Sequence, residues 1–539
     1  MPQGSWGKSG FILLSIFLLH IHFAWGQYVR RSQFPNEHFR RMQYRLDDWI
    51  SILPAHQFTD IAVGQQYLYF ASLDGGIWRF NLYQNDWDYP FTTSNGLPSN
   101  RVFQVAYDDV RGILWAITDV DTAIFDFASR EWRRKKESPF WNYRFPAITV
   151  PDTGKTLPRN IFLSEVFLKR LPPFIADSAF TLDADWELTD PHFRTYRVSG
   201  FLIDDWQRIW FTVPGFGLGL GSILTQRVRF FPLGLSNVQP RVIQFWQDDL
   251  WIGGIATGAI SALGVPDRNL LKGIVRWRNR DGGWQYFDAR FIARLYSDQV
   301  TAIAATDGEL WFGTDYGVAR YTIKNNSWKT IYVKHGLYSN LVNDVLADDE
   351  VVWVATDEGM NVIDRQTGRV RKVRHKWLRQ VPVYRLTLQN DTLWAAALTG
   401  IFRRFPDTGK WQKVKSEAAI VDYFITALAY YKDEMWFATS RSIMRYNLRQ
   451  DTWESFPQLE AEGLGRMWDI KADSAAVWVA TDSGLLKFDR KRQYWKLFTT
   501  EDGLVDNRCR FVLINGDYLW IATASGITQF YWNSPARID

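Results

Sequence analysis

The chain has 539 residues, a formal net charge of +5, 46% hydrophobic residues and 28 Trp. That apolar content supplies one very large core or several, and so small a charge excess excludes a chain built to hold nucleic acid. Cys509 is the single cysteine, which excludes an intrachain disulfide and leaves the fold to hold by packing.

The first predicted element is a cleavable secretion signal over residues 1–26. Lys8 precedes an apolar run at 11–19, and Ala24 and Gly26 put small residues where a signal peptidase inspects the chain. The run is too short to span a bilayer, which takes roughly 20 residues, and no cysteine near the cut offers a site for lipid attachment. Residues 27–45 form a basic arm, with Arg30, Arg31, Arg40, Arg41 and Arg45 against Glu37. The arm reads as a solvated tail or as a contact for an anionic surface.

From about residue 46 to 533 one unit recurs. Its clearest copy runs QVTAIAA, LWFGT, VARYTI and WKTIYV within residues 299–333, four β-branched or aromatic runs separated by TDGE, DYG and KNNS. Four short strands with tight turns make an antiparallel sheet. A period near 40 residues implies stacked copies, as in propeller blades. Trp at the second strand marks the copies at Trp311, Trp353, Trp394, Trp436, Trp478 and Trp520, at intervals of 42, 41, 42, 42 and 42. A further Trp follows 17 residues later at Trp328, Trp411, Trp453 and Trp495.

Taken in order, the repeat opens in mid-blade. The stretch around Trp49 matches a fourth strand, HQFTDIAV a first and LYFAS a second. Further second strands lie at Trp115, Trp210 and Trp251, with Trp132 and Trp284 as fourth-strand partners. Insertions interrupt the first half near 133–185, where IFLS and Trp186 are pieces of one more degenerate blade, and at 258–272, a surface loop. The regular part begins near 296. Residues 508–530 supply only three strands, so the strand at Trp49 is expected to complete the last blade. The expected fold is all-β, a propeller of ten or eleven four-stranded blades in one ring closed by that N-terminal strand, or two smaller propellers packed together.

The motifs LWFGTDYGVARY, VWVATDEGMNVID, MWFATSRSIMRY, VWVATDSGLLKFD and LWIATASGITQF, with the links GLPSNRV and GLYSNLV, resemble the two-component regulator propeller repeat, whose pattern runs LWxGTxxGLxxYD. The resemblance covers roughly 45–533. It implies an extracytoplasmic propeller, often the ligand-sensing half of a histidine kinase or hybrid regulator and frequently one that detects glycans. This sequence carries no transmembrane helix, kinase or DNA-binding segment after the repeats, so signalling is expected to pass in trans. A repeat of this kind specifies a fold more firmly than a function.

Motifs for catalysis or metal binding are few. His38, His56, His192, His335 and His375 lack metal-ligand spacing, so no metal and no cofactor is expected. The glycine run at 215–221 leads into neither a helix nor Lys-Ser/Thr and reads as a turn or blade connection. Asp119 with Asp121 and Asp183 with Asp185 read as turn residues. In the TD-x-G turns at Asp315, Asp357 and Asp482 the carboxylate is expected to accept the turn's own N–H groups.

Aligning the blades yields one candidate site. The position before the first strand, Gln299 in the clearest copy, becomes Arg101, Arg197, Arg241, Arg466 and Arg508 elsewhere. Asn100, Asn340 and Asn507 precede it, and Tyr384, Trp468 and Arg510 follow two places after. Arginines repeated at one place in a ring would converge on one rim, where they either pair with acids of neighbouring blades or hold carboxylate or sulfate, with aromatics stacking on sugar rings. Arg101, Arg197, Arg241, Arg466, Arg508, Tyr384, Trp468 and Asn340 are therefore the expected ligand-binding residues. The reading is a secreted or periplasmic binding or sensory module for an extracellular glycan, another polyanion or a membrane sensor protein, with no catalytic residue assigned. A structural part of a cell-envelope or secretion assembly, and a polysaccharide lyase or hydrolase, are the other readings.

Overall fold

A computed structural model describes residues 41–144 and 171–539, apart from 178–179, 257–271, 279–281, 415–423, 441, 457–458, 460–461, 536 and 538–539; it also describes the short strands Val29–Arg30, Ile148–Thr149 and Thr156–Leu157. The signal segment, His38, the 161–164 piece and most of the 258–272 insertion lie outside the described residues.

The described strands build ten antiparallel sheets of the expected kind, at 58–91, 102–134, 200–231, 238–287, 300–331, 342–372, 383–413, 425–455, 467–498 and 509–531. Each begins with an inner strand and adds its neighbours in chain order. The second-strand Trp does the packing the period implied. Trp251, Trp311, Trp394, Trp436 and Trp478 are completely buried between adjacent sheets. Glycine at the end of a second strand lets sheets approach, since a Cβ on Gly313 would stand 2.8 Å from Val342 Cγ1.

The last sheet is completed from the N-terminus, as expected. Trp49–Ile52 pairs antiparallel with Ile527–Tyr531, Trp49 opposite Phe530 and Ile52 opposite Ile527. The ring itself is smaller than ten. The inner strands from 238–246 to 509–515 touch in succession, and the first of them, Val238–Trp246, meets the last, Cys509–Asn515. Phe245 and Trp277 pack on Trp520 across that junction, with ring centroids 5.5 and 6.0 Å apart. Seven sheets therefore meet in succession from first to last, fewer than the single ring of ten, and the remaining three form no second propeller among the described residues.

The other three sheets stand in a separate row. Sheet 58–91 lies in the middle, with Phe70 and Phe80 against Trp210 of sheet 200–231 on one face and a shared core with sheet 102–134 on the other. A three-stranded sheet, Thr181–Leu182, Glu187–Thr189 and Thr195–Arg197, packs beyond sheet 200–231. It occupies the place expected for the degenerate blade. The glycine run is the third strand of sheet 200–231, Gly217–Ser222, where the ring of Phe230 fills the space a Cβ on Gly219 would need. The row meets the ring at Trp78 and Trp284, and through the short pairing of Pro54–Ala55 with Leu233–Gly234.

The basic arm is not a free tail where it is described. Val29–Arg30 pairs parallel with Tyr494–Phe498, and Arg41 Nη1 and Nη2 donate to the carbonyls of Thr93 and Thr500 at 2.5 and 3.1 Å, tying row to ring.

Candidate functional site

Near its start, every inner strand of the ring breaks register with the second strand. In sheet 300–331 the pairing steps from Val300 to Ala302 and passes over Thr301, and the same happens in the other six. A bulge of this kind leaves its extra residue unpaired and turns its side chain out of the ladder. The residues passed over are Arg241, Thr301, Asn343, Tyr384, Thr426, Trp468 and Arg510. All seven line one cavity of about 310 Å³ among the inner strands, together with Asp357, Arg385, Phe424 and Arg466.

The smaller members bind the sheets together. Thr301 Oγ1 donates to the carbonyls of Gly313 and Val342 at 3.1 and 2.7 Å, and Asn343 Nδ2 to that of Val383 at 3.0 Å. Just past the bulge, Asp344 and Asp469 accept the N–H groups of Leu386 and Val512 in the next sheet, at 2.8 and 3.1 Å. Burial pushes the Asp344 carboxyl up, against the pull of Arg385 and the N–H bonds.

The larger members concentrate positive charge. The guanidinium carbons of Arg466 and Arg510 each lie 4.2 Å from the Trp468 ring centroid, and that of Arg241 lies 6.0 Å away. Asp482 anchors this group. Its Oδ1 accepts Trp468 Nε1 at 2.8 Å and Arg510 Nη1 at 2.5 Å, while Oδ2 accepts the Arg466 N–H at 3.0 Å. Burial would raise the Asp482 carboxyl, but these hydrogen bonds together hold it below its ordinary value. Arg385 Nη1 donates to the carbonyls of Asn343 and Tyr384, at 3.0 and 3.1 Å.

The guanidinium groups of Arg241 and Arg466 make no hydrogen bond or ion pair among the described residues. Burial lowers both, and for Arg241 the repulsion of Arg510, Arg466 and Arg385 adds to it. Four guanidinium groups thus line the cavity with one carboxylate, Asp357, while Asp482 pairs with Arg510 and Asp344 lies near Arg385. The excess of positive charge, with donors left over, suits an anion.

The structure brings Arg241, Tyr384, Arg466 and Trp468 together and sets the other four expected residues elsewhere. Arg241 gets there by a different route, because Pro240 occupies the place of Val300 and Arg241 is the bulge residue, one position along from the alignment. Arg508 is exposed and bonded to Asp506 at 2.8 Å. Asn340 Oδ1 accepts the Val333 N–H at 3.0 Å and closes a turn, as Asn100 and Asn507 do for Thr93 and Thr500. Arg197 ends a strand of the three-stranded sheet, and Arg101 stands just before sheet 102–134, both outside the ring. Arg101 borders a cleft of about 1,120 Å³ between the arm and the turns at 93–101 and 500–505. There Arg41 is spent on carbonyls, and Glu131, Glu137, Glu501 and Asp502 offset the remaining arginines.

Two expectations about side-chain roles change. Trp468 carries a guanidinium at 4.2 Å from each of Arg466 and Arg510, and Tyr384 packs on Phe424 with centroids 4.0 Å apart, so these aromatics hold the cluster together. In the TD-x-G turns the threonine closes the turn. Thr314, Thr356 and Thr481 each donate to the glycine carbonyl three residues on, at 2.7–2.8 Å. The aspartate turns instead toward the inner strand, Asp357 to Asn343 Nδ2 at 2.8 Å, Asp315 to Ser297 and Asp482 to the arginine cluster. Asp183 does serve its turn, accepting the N–H groups of Asp185 and Glu187.

No family model matches the chain, and no curated protein does. Solved structures similar to it include the extracellular domain of a hybrid two-component system of B. thetaiotaomicron, 14% identical, covering 90% of this chain and 71% of that one at a TM-score of 0.45. The virginiamycin B lyase of Staphylococcus aureus is 15% identical, covering 54% of this chain and 94% of its own at 0.42. PorZ of Porphyromonas gingivalis, described as an essential surface component of the type-IX secretion system, is 13% identical, covering 90% and 87% at 0.33.

Proposed function

We propose that the chain is an extracytoplasmic binding module of the sensory kind, which takes an anionic group of a glycan into the ring-axis cavity and passes the information to a partner in trans. The observation that carries this is the pair of guanidinium groups that make no hydrogen bond or ion pair among the described residues, Arg241 and Arg466, held over Trp468 beside Arg385 and Arg510 and in excess over the carboxylates. Recognition rests on charge and forked hydrogen bonds to carboxylate or sulfate oxygens. Stacking on sugar rings contributes less, since the Trp468 faces are taken. The reading assigns no turnover. Guanidinium groups do not exchange protons near neutral pH, and both carboxylates are engaged, Asp357 by Asn343 and Asp482 by Trp468 and Arg510.

The test replaces Arg241 and Arg466 together with Gln and measures retention on immobilised uronate, sulfated and neutral glycans, with Arg508→Gln as the control outside the cavity. The wild type and the control should be retained on the acidic glycans and released as salt rises, because charge interactions at an open site are screened over about 8 Å at physiological ionic strength. The double variant should pass through. Equal retention of wild type and double variant at low salt, with the fold intact, would remove the axis cavity from consideration.

A further inference from the structure

One segment is far more basic than anything else at the ring's edge. Residues 365–379 read RQTGRVRKVRHKWLR, without an acid. They form the turn before the outer strand of sheet 342–372, that strand, Val370–Lys372, and the link to the next sheet. Arg365 has a structural task, lying between the Asp348 and Asp349 carbonyls and Glu309. The other six cations, Arg369, Arg371, Lys372, Arg374, Lys376 and Arg379, are all exposed and make no ion pair among the described residues.

Edge strands carry an occasional charge that discourages pairing with other chains, and the neighbouring outer strands do no more than that. Ser327–Ile331 has Lys329, Trp411–Lys413 has Lys413, and Thr452–Ser455 has no cation. Six cations within eleven residues exceed that need and repel one another. The nearest carboxylate in sequence, Asp364, is engaged by the N–H and hydroxyl of Thr367. Two of the ammonium groups rest over aromatic rings, Lys372 Nζ 4.6 Å from the Tyr338 centroid and Lys376 Nζ 4.5 Å from that of Trp377, which holds them at the exposed edge.

We propose that this edge is a docking surface for a membrane bearing anionic lipid headgroups. The cations are unevenly spaced along the sequence, and none of them lines either of the two cavities described above. Lipid headgroups diffuse to meet charges wherever these stand, whereas a polymer of fixed charge spacing needs a groove or a matching period. Half-buried Trp377 among them is stacked on Phe402 and packs against the core, so it holds the link in place beneath the cations. The surface is separate from the axis cavity, so one can fail without the other.

The experiment is co-flotation of the purified protein with vesicles of phosphatidylcholine, with and without phosphatidylglycerol, over a series of salt concentrations. The wild type should float with the anionic vesicles only and detach as salt rises. Near a charged surface each basic residue is worth about fivefold in partitioning, so Arg371→Gln, Lys372→Gln and Arg374→Gln together should weaken it on the order of a hundredfold. Lys376→Gln with Arg379→Gln, a second variant further along the link, should weaken it by about thirtyfold, and Arg241→Gln with Arg466→Gln should float as the wild type does. Equal flotation with neutral vesicles, or of wild type and both edge variants, would overturn the proposal. So would binding through these residues to soluble dextran sulfate with none to vesicles.

Discussion

Trp49 completes the last sheet of the ring, and replacing it by Ala should show how much that completion contributes. The indole lies 3.7 Å from the Phe530 ring centroid at 7° to its plane, meets Tyr44 edge-on at 5.7 Å and Phe498 at 6.0 Å, and is 1% exposed. Gly503 covers it so closely that a Cβ there would stand 2.4 Å from Trp49 Cγ. A buried indole removes about 250 Å² from water, which at about 25 cal/mol per Å² sets a ceiling near 6 kcal/mol. Truncations of buried Phe and Trp cost about 3–5 kcal/mol. Trp49→Ala is therefore expected to lose about 4 kcal/mol, a large part of the roughly 5–15 kcal/mol that holds a domain folded. Urea unfolding followed by far-UV circular dichroism reads this as a lower midpoint for the ring's transition. Deleting residues 27–53 should do more, since it strips Ile527–Tyr531 of its neighbour and leaves an open edge that aggregates. A loss below about 1 kcal/mol for Trp49→Ala, with the deleted protein soluble and as stable as the whole, would refute the argument that this strand holds the last sheet.

Three further outcomes follow from the geometry. Thr356→Val keeps the shape but leaves the Gly359 carbonyl and the Glu358 N–H without their buried partner, and should cost about 1–3 kcal/mol in chemical denaturation. Asp357→Asn should leave the melting temperature within a degree or two and strengthen retention on acidic glycans, because it removes a negative charge from the cavity wall; weaker retention would contradict the charge count. His56 is buried where the row meets the ring, its Nε2 lacks a partner, and burial outweighs Asp74 in lowering its pKa. Below about pH 6.5 the unfolded chain binds the proton more readily than the folded one, so stability is full above that pH and falls as the pH drops. His56→Gln should flatten the slope of melting temperature between about pH 7 and 5.

Much of the fold could be read because each blade repeats one packing problem. The second-strand Trp fills the gap between neighbouring sheets, so its period marked the blades, and the missing fourth strand of the last blade pointed to Trp49. The size of the ring could not be read in the same way. It depends on how each sheet faces the next, and sheets 58–91 and 200–231 carry strands of the same kind yet stack directly on each other and share a core with the ring without taking a place in it. Half the expected site was legible through Arg241, Tyr384, Arg466 and Trp468. The alignment was built on the residue before the strand and named the position two places on at Tyr384, Trp468 and Arg510, while it is that bulge position that turns to the axis in every sheet of the ring. Weighting the wrong position kept Arg508 and Asn340 in the expected site and left out Arg510 and, beside Tyr384, Arg385. It also explains the aspartates. With threonine closing the TD-x-G turn, the aspartate beside it is released from any duty there and stands at the level of the bulge. Asp482 meets Arg510 and Trp468 at that level, Asp357 meets Asn343, and in sheet 238–287 Gly254 stands where Thr314 closes the turn in sheet 300–331. The turn is therefore built by one residue and the charge of the cavity set by the next, so a strictly periodic scaffold can present a different side chain from every blade at its axis.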